Sequence, residues 1–206
     1  MADWDDDSPQ LRRNLAKVRV DLQQSARRPD MPVVELARQW HRDAMAGLDV
    51  PRQEYVGRFR GEPGTEVPVY IGAAEGVPYA DVEAQLKDFE RRLQAIIVAL
   101  DGRYPAGAGL DEDGVAAVTD LAGWAHAEWV RIHPFANGNG RTGRMWANLL
   151  LVRYGLPPVV RLRPRPDYGY GAAGERAMAG NWEPMARFIR RMLLELPPAT
   201  SRTKRR

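Results

Sequence analysis

Between Asp81 and Leu100 apolar side chains fall at Val82, Leu86, Phe89, Leu93, Ile96, Ile97 and Leu100. Intervals of three and four put them on one face of a helix, and Asp81 is placed to cap it. "GRYPAGAGLDEDG" (102–114) then reads as a Gly-rich loop. A second helix follows from Val115, with Val118, Leu121, Ala125, Trp129 and Ile132 on one side. A third runs from about Gly140 through "RTGRMWANLLLVRYG" and stops at Gly155 and two prolines. The last starts near "NWEPM", with Asn181 as its cap and Pro184 in the first turn, and buries Met185, Phe188, Ile189, Met192 and Leu193. Residues 10–25 and 33–47 also carry the helical period. Only "EVPVYIGAAEGVPY" (66–79) departs from it, with two short β-rich pieces separated by Gly72 to Gly76. Pro68 and Pro78 bar a central strand, so this is an exposed flap or edge. The predicted class is mainly α with one small β-hairpin.

Composition narrows the setting. A chain of 206 residues with 44% hydrophobic and 28% charged content reads as one globular domain with a sizeable core. Without Cys it has no disulfide or thiolate metal site, which fits a cytoplasmic protein. The acidic start "MADWDDDS" lacks the basic, then apolar, order of a secretory signal. No apolar run approaches the length of a membrane span. The pI of 9.4 suggests nucleic acid until its source is located. Arg202, Lys204, Arg205 and Arg206 sit in the last five residues, and without them the formal charge of +3 becomes −1. The body is near neutral, so neither a nucleic acid nor a membrane is an expected partner. Residues 197–206 read as a basic, disordered tail.

The chemistry concentrates in "HPFANGNGRTGR", 133–144. His133 precedes a proline, which pushes it out of the helical region and ends the second helix. Phe135 is an apolar anchor for the loop. Gly138 and Gly140 leave backbone amides unshielded where a new helix begins, and a helix N-terminus favours an anion. Arg141 and Arg144, three apart, add two fixed cations at that same positive end. They oppose the dipole unless a polyanion compensates both. Together these parts describe a di- or triphosphate cradle with a base at its lip.

The stretch resembles the signature of the Fic family (the Fic/Doc superfamily), His-Pro-Phe-x-Asp/Glu-Gly-Asn-Gly-Arg-x-x-Arg. All eight fixed positions besides the acidic one match. "RFRG" (58–61), the flap, "AEWVRIHPF" and "ANLLLVRYGLPP" resemble family segments too, so the likeness covers about residues 33–196. It implies a Fic-type helical domain with a β-hairpin flap over 33–196, and residues 1–32, outside the likeness, read as a helical extension before it. It also implies transfer of AMP from ATP to a Ser, Thr or Tyr hydroxyl of a target protein. His133 would be the general base. Gly138, Asn139 and Gly140 would hold the α- and β-phosphates, largely through amides. Arg141 and Arg144 would neutralise the outer phosphates and the leaving group. Val69, Tyr70 and Ile71 of the flap would dock the target segment as an added strand.

One departure bears on the metal. Asn137 stands where most members carry the acidic residue that helps hold Mg²⁺, and an amide oxygen brings no charge. The departure leaves open transfer of another nucleotide, or a weak or non-catalytic nucleotide-binding module. Many members are restrained by a helix bearing Ser/Thr-x-x-x-Glu-Gly/Asn, and none of the eight Ser and Thr residues here has Glu four positions on. A small antitoxin-like chain contacting Arg144 is one way such restraint could be supplied. Plain readings cover the remaining features. His41 reads as a surface helix residue, His126 as a packed one, and Trp124, Trp129 and Trp146 as core. Tyr170 stands where relatives place a residue against the adenine, or else serves a Gly-rich loop. Arg161, Arg163 and Arg165 read as a solvated extended segment.

Overall fold

The computed structural model describes residues 7–72, 74–105 and 108–196, so the expected basic tail and most of the acidic start lie outside the described residues. Helices α1 (Pro9–Ala26), α2 (Glu35–Met45), α3 (Val82–Arg103), α4 (Glu112–Ile132), α5 (Asn139–Arg153), α6 (Tyr170–Met178) and α7 (Glu183–Leu194) surround one core. The strands β1 (Tyr70–Ile71) and β2 (Ala74–Glu75) pair antiparallel, Tyr70 opposite Glu75. The class is mainly α with one small hairpin, as the periodicity predicts.

At the centre lie α4 and α5. Every residue from Arg141 to Leu151 is buried, so α5 shows no polar face to water and is an axis rather than a surface helix. Against it pack α4 and α1, and α3 and α7 pack in turn against α4. Trp129 and Trp146 are fully buried, Trp124 nearly so, and Phe89 lies within about 5.5 Å of all three rings. Helix ends follow their local chemistry. Ser8 accepts the Leu11 amide (3.1 Å) at the start of α1, and Asp111 accepts the Gly114 amide (2.7 Å) at the start of α4.

The structure corrects several elements. With Asp111 as cap, α4 begins at Glu112, three residues before the predicted start. Asp81 does not cap α3 through its side chain; a 3₁₀ turn at Tyr79–Asp81 leads into that helix instead. Asn181 does accept the Glu183 amide (3.2 Å), from one residue outside the position that flanks α7. The hairpin is tighter than expected, because Ala74–Glu75 form its second strand inside the span read as its turn. Residues read as a Gly-rich loop around Tyr170 are helix α6. Three glycines at 169, 171 and 174 hide it, and packing against α4 and α7 supplies what intrinsic propensity lacks.

A single glycine sets the spacing of α4 and α7. A Cβ on Gly123 would stand 2.5 Å from the Ala186 nitrogen and 2.6 Å from its Cβ, so two backbones meet where only hydrogen fits. Gly123→Ala is expected to destabilise the protein by about 1–3 kcal/mol despite its better helix propensity. The melting temperature should fall by roughly 2–4 °C per kcal/mol. An unchanged or raised melting temperature would refute the close packing.

Candidate functional site

The C-terminal end of α4 delivers the histidine. His133 is the residue after its last turn, in the left-handed region (φ 56°, ψ 56°) and so out of the right-handed helical region, as expected before proline. Its amide still closes the helix on Trp129 O (3.0 Å). The imidazole Nδ1–H donates to Val130 O (2.8 Å), and because a carbonyl only accepts, the other nitrogen, Nε2, keeps its lone pair. Burial holds the pKa of His133 below its ordinary value, the Val130 bond opposes this, and the Arg60 charge adds to the lowering. The group is a neutral, oriented base.

Beyond it the chain turns over Phe135, fully buried as an anchor should be. Asn139 braces the turn by accepting the Phe135 amide and donating to its carbonyl, both at 2.8 Å. Its side chain is therefore spent on the loop, and only its backbone is left for a ligand. Gly138 flanks α5 with φ 81°. The first-turn amides of Asn139 and Gly140 have no intrahelical acceptor and open at this end. His41, read from the sequence as a surface residue, is buried here. Its Nδ1 accepts the Gly57 amide, its Nε2–H donates to Asn137 O, both at 3.0 Å, and its ring stacks on Phe135. Burial lowers its pKa to about 3, so it is a neutral pin under the glycine loop.

Arg60, on the segment before the flap, joins these parts. Its guanidinium is buried and donates to four carbonyls: Nε to His133 O (2.7 Å), Nη1 to Val67 O (3.1 Å), and Nη2 to Val77 O (2.6 Å) and Ile132 O (3.1 Å). Val67 and Val77 bracket the flap, while Ile132 and His133 end α4. Burial pushes the Arg60 pKa down to about 10, which leaves it charged at neutral pH. Gly76 lets the flap close onto the histidine, since a Cβ there would come within 2.8 Å of His133 Cβ.

These elements enclose a cleft of about 920 Å³. Its lining brings together every predicted site residue: Val69, Tyr70 and Ile71 of the flap, His133, Asn137 through Arg141, Arg144 and Tyr170. Within the flap, Val69 is buried and Tyr70 is 61% exposed. Arg144 is buried, its Nη1 donating to Tyr170 OH (2.8 Å) and its Nη2 to Leu162 O (2.9 Å). Tyr170 OH also lies 2.9 Å from Nε2 of His126, packed as expected and lowered to a pKa of about 3 by burial and then by the Arg144 charge. Arg163 and Arg165 line the same cleft, so they are not the purely solvated pair the sequence suggests. A second cleft of about 950 Å³ opens between Ala26, Tyr104 and Tyr154 and holds none of the motif.

The protein's oxygens suit Mg²⁺ poorly. Asn137 Oδ1, the implied ligand, accepts the Gly138 amide of its own loop and lies 3.5 Å from Arg141 Nη2. Among the described residues no cluster of His, Asp and Glu is placed to hold a metal ion. One neutral oxygen, already bonded and beside a cation, does not make a divalent site.

Arg60, His41, Arg163 and Arg165 escape sequence reasoning as parts of the site. "RFRG" marks Arg60 by resemblance only, because its bonds all go to backbone atoms more distant in the chain. His41 falls on the stripe of Ala37, Trp40, Ala44 and Met45, and that helical spacing is the signal that marks it as buried.

Comparison with known proteins bears on this geometry. Residues 33–151 match the sequence model of the Fic/DOC family. The protein adenylyltransferase Fic of Nematostella vectensis is 42% identical over 73 residues, 35% of this chain and 17% of its own length. Its counterpart in Drosophila yakuba is 43% identical over 121 residues, 59% of this chain and 21% of its own. The chain thus spans about a fifth or less of the length of these relatives. Among solved structures, Fic-1 of C. elegans superposes with a TM-score of 0.60 at 25% identity, covering 89% of this chain and 47% of that one. BepC of Bartonella tribocorum, solved with bound AMPPNP, gives 0.57 at 19% identity, covering 88% and 86%. At that identity the likeness shows the fold. No helix among the described residues is long and apolar enough to cross a membrane.

The two buried neutral histidines make an expected pH signature. The unfolded chain binds protons at His41 and His126 below about pH 6.5, whereas the folded protein does so only near pH 3. Stability is therefore full above about 6.5 and falls as pH drops, on the order of 1 kcal/mol per unit for each histidine. Denaturant titrations from pH 7 to 4.5 should show that fall, shallower in His41→Gln. An identical slope in the variant would place His41 outside the core.

Proposed function

The chain belongs to the Fic/DOC family, and on that premise we propose that it is a protein adenylyltransferase, moving AMP from ATP to a hydroxyl of a target protein. The observation that carries this is the lone pair on Nε2 of His133, fixed by the Nδ1–Val130 bond and set in one cleft with the first-turn amides of α5. The names of relatives support nucleotidyl transfer at the level of the family.

In the proposed reaction the target hydroxyl oxygen attacks the α-phosphorus of ATP and forms the new P–O bond. His133 Nε2 takes the hydroxyl proton as that bond forms. The bond from the α-phosphorus to the bridging oxygen of the β-phosphate breaks, and pyrophosphate leaves with that oxygen. Amides of Asn139 and Gly140 receive the phosphates at the positive end of α5. Arg141 and Arg144 neutralise charge on the leaving group. No step is routed through a metal. Tyr170, held from both sides by Arg144 and His126, offers a rigid wall for the nucleotide. The target segment lies along the flap, where Tyr70 is exposed, and strand pairing there sets its hydroxyl near His133. An inhibitory chain that reached Arg144 would enter by the same cleft and compete with ATP.

His133→Ala should lower transfer by roughly 10²–10⁴-fold while ATP affinity stays within about threefold, since the imidazole handles a proton and not the phosphates. In the unmodified protein kcat/KM should fall on the acid side with a midpoint below about 6.5, because burial lowers the His133 pKa. Labelled ATP, candidate target proteins from a lysate and intact-mass analysis give the readout. Near-normal transfer by the variant would remove His133 from the role of base.

A further inference from the structure

Arg144, assigned above to the leaving phosphates, has both ends of its fork fixed before any ligand arrives. Its Nη2 donates to Leu162 O (2.9 Å), on a segment that Asn148 of the same helix ties down by bonding Val160 in both directions (2.7 and 3.0 Å). Its Nη1 donates to the hydroxyl of Tyr170 (2.8 Å), the first residue of α6. A guanidinium only donates, so the Tyr170 oxygen accepts, and Nε2 of His126 occupies a second side of that hydroxyl at 2.9 Å. A hydroxyl both donates and accepts, so a neutral imidazole bonds it in either tautomer. The Tyr170 ring makes edge contacts with His126 and Phe188, each at 5.5 Å between centres. Two glycines of α5 make room for the arrangement. A Cβ on Gly143 would stand 3.3 Å from His126 Cδ2, and one on Gly140 would stand 3.3 Å from Arg144 Nη1 and 3.9 Å from Tyr170 OH.

Nη1 of Arg144 therefore sits beside Gly140, one of the two residues whose amides open at the start of α5. Each Nη nitrogen has spent one hydrogen on its protein partner and keeps the other. An arginine stem has several free torsions, and ordering them at the moment of binding would weaken its contact with a phosphate. Here that ordering is built in. Tyr170 and His126 are both buried, so water does not compete for their bonds. We propose that Tyr170, backed by His126, is a positioning residue that presents the Arg144 fork to the outer phosphates of the nucleotide. This rests on the nucleotide reading above. It gives α6 a part in the site, since that helix delivers the hydroxyl across from α5. His126, uncharged at neutral pH, acts through Tyr170 and not on the ligand.

Calorimetric affinities of the whole protein for ATP and AMP test it. Tyr170→Phe keeps the ring and removes the hydroxyl, so ATP affinity is expected to fall roughly fivefold or more while AMP affinity stays within about twofold. Unchanged ATP affinity, or an equal loss for AMP, would overturn the proposal and leave the nucleotide reading standing, whereas no ATP binding by the unmodified protein would overturn both. Arg144→Met keeps an unbranched stem without donors, and in that background Tyr170→Phe should cost less than about twofold in ATP affinity. The same loss as in the parent would mean that the hydroxyl touches the nucleotide itself, and would overturn a role through Arg144. His126→Leu should lose roughly threefold or more for ATP alone, while His126→Gln, whose amide both donates and accepts, should stay within about twofold of the parent. Equal ATP affinities in those two variants would overturn the part given to His126. Should Arg144→Met fail to fold, the split between ATP and AMP in Tyr170→Phe carries the test by itself.

Discussion

One buried guanidinium holds the reactive corner together. Burying the Arg60 charge is costly unless its donors are satisfied, and here they are met by four carbonyls from two separate elements. Two of those carbonyls, on Ile132 and His133, lie at the C-terminal end of α4, where the helix leaves acceptors unpaired and its dipole favours a cation. The other two bracket the flap. A tie of this kind fixes the height of the flap above the histidine, and Gly76 allows the approach by presenting no side chain to His133. The Arg60 amide adds a further bond to Pro134 O (2.6 Å).

From that tie the division of labour follows. Groups bonded to their own loop give it shape: Asn139 braces Phe135, and His41 pins the carbonyl of Asn137 from below. Groups left with capacity face the cleft, namely His133 Nε2 and the opening amides of α5. Thr142 couples the two central helices, accepting from Trp129 Nε1 (2.7 Å), so the end of α4 and the start of α5 keep a fixed separation. A cradle built on buried helices needs little rearrangement when an anion arrives, which is what electrostatic preorganisation requires.

Much of this was legible in the sequence, for definable reasons. Long apolar periods located α3, α4 and α7, and the site residues named from the motif line one cleft. Helix α6, short and glycine-rich, was not legible. It has only Tyr170, Ala173 and Ala177 on its buried face, too few and too small to signal a period. His41 and Arg60 gain their roles from backbone atoms distant in the sequence, such as Asn137 O and Val77 O, and composition carries no trace of such partners. Arg163 and Arg165 alternate as solvated residues do, and only the anchoring of Val160 and Leu162 by α5 turns them to the cleft.

The claim that Arg60 clamps flap and histidine as one unit is tested most directly by hydrogen exchange in Arg60→Lys. A lysine keeps the charge but has a single nitrogen and cannot span four carbonyls. Amides over 67–77 and 132–135 are expected to exchange faster together, while α1 and the middle of α5 keep their protection. Faster exchange in only one of the two segments, or a uniform loss of protection through the core helices, would contradict the account.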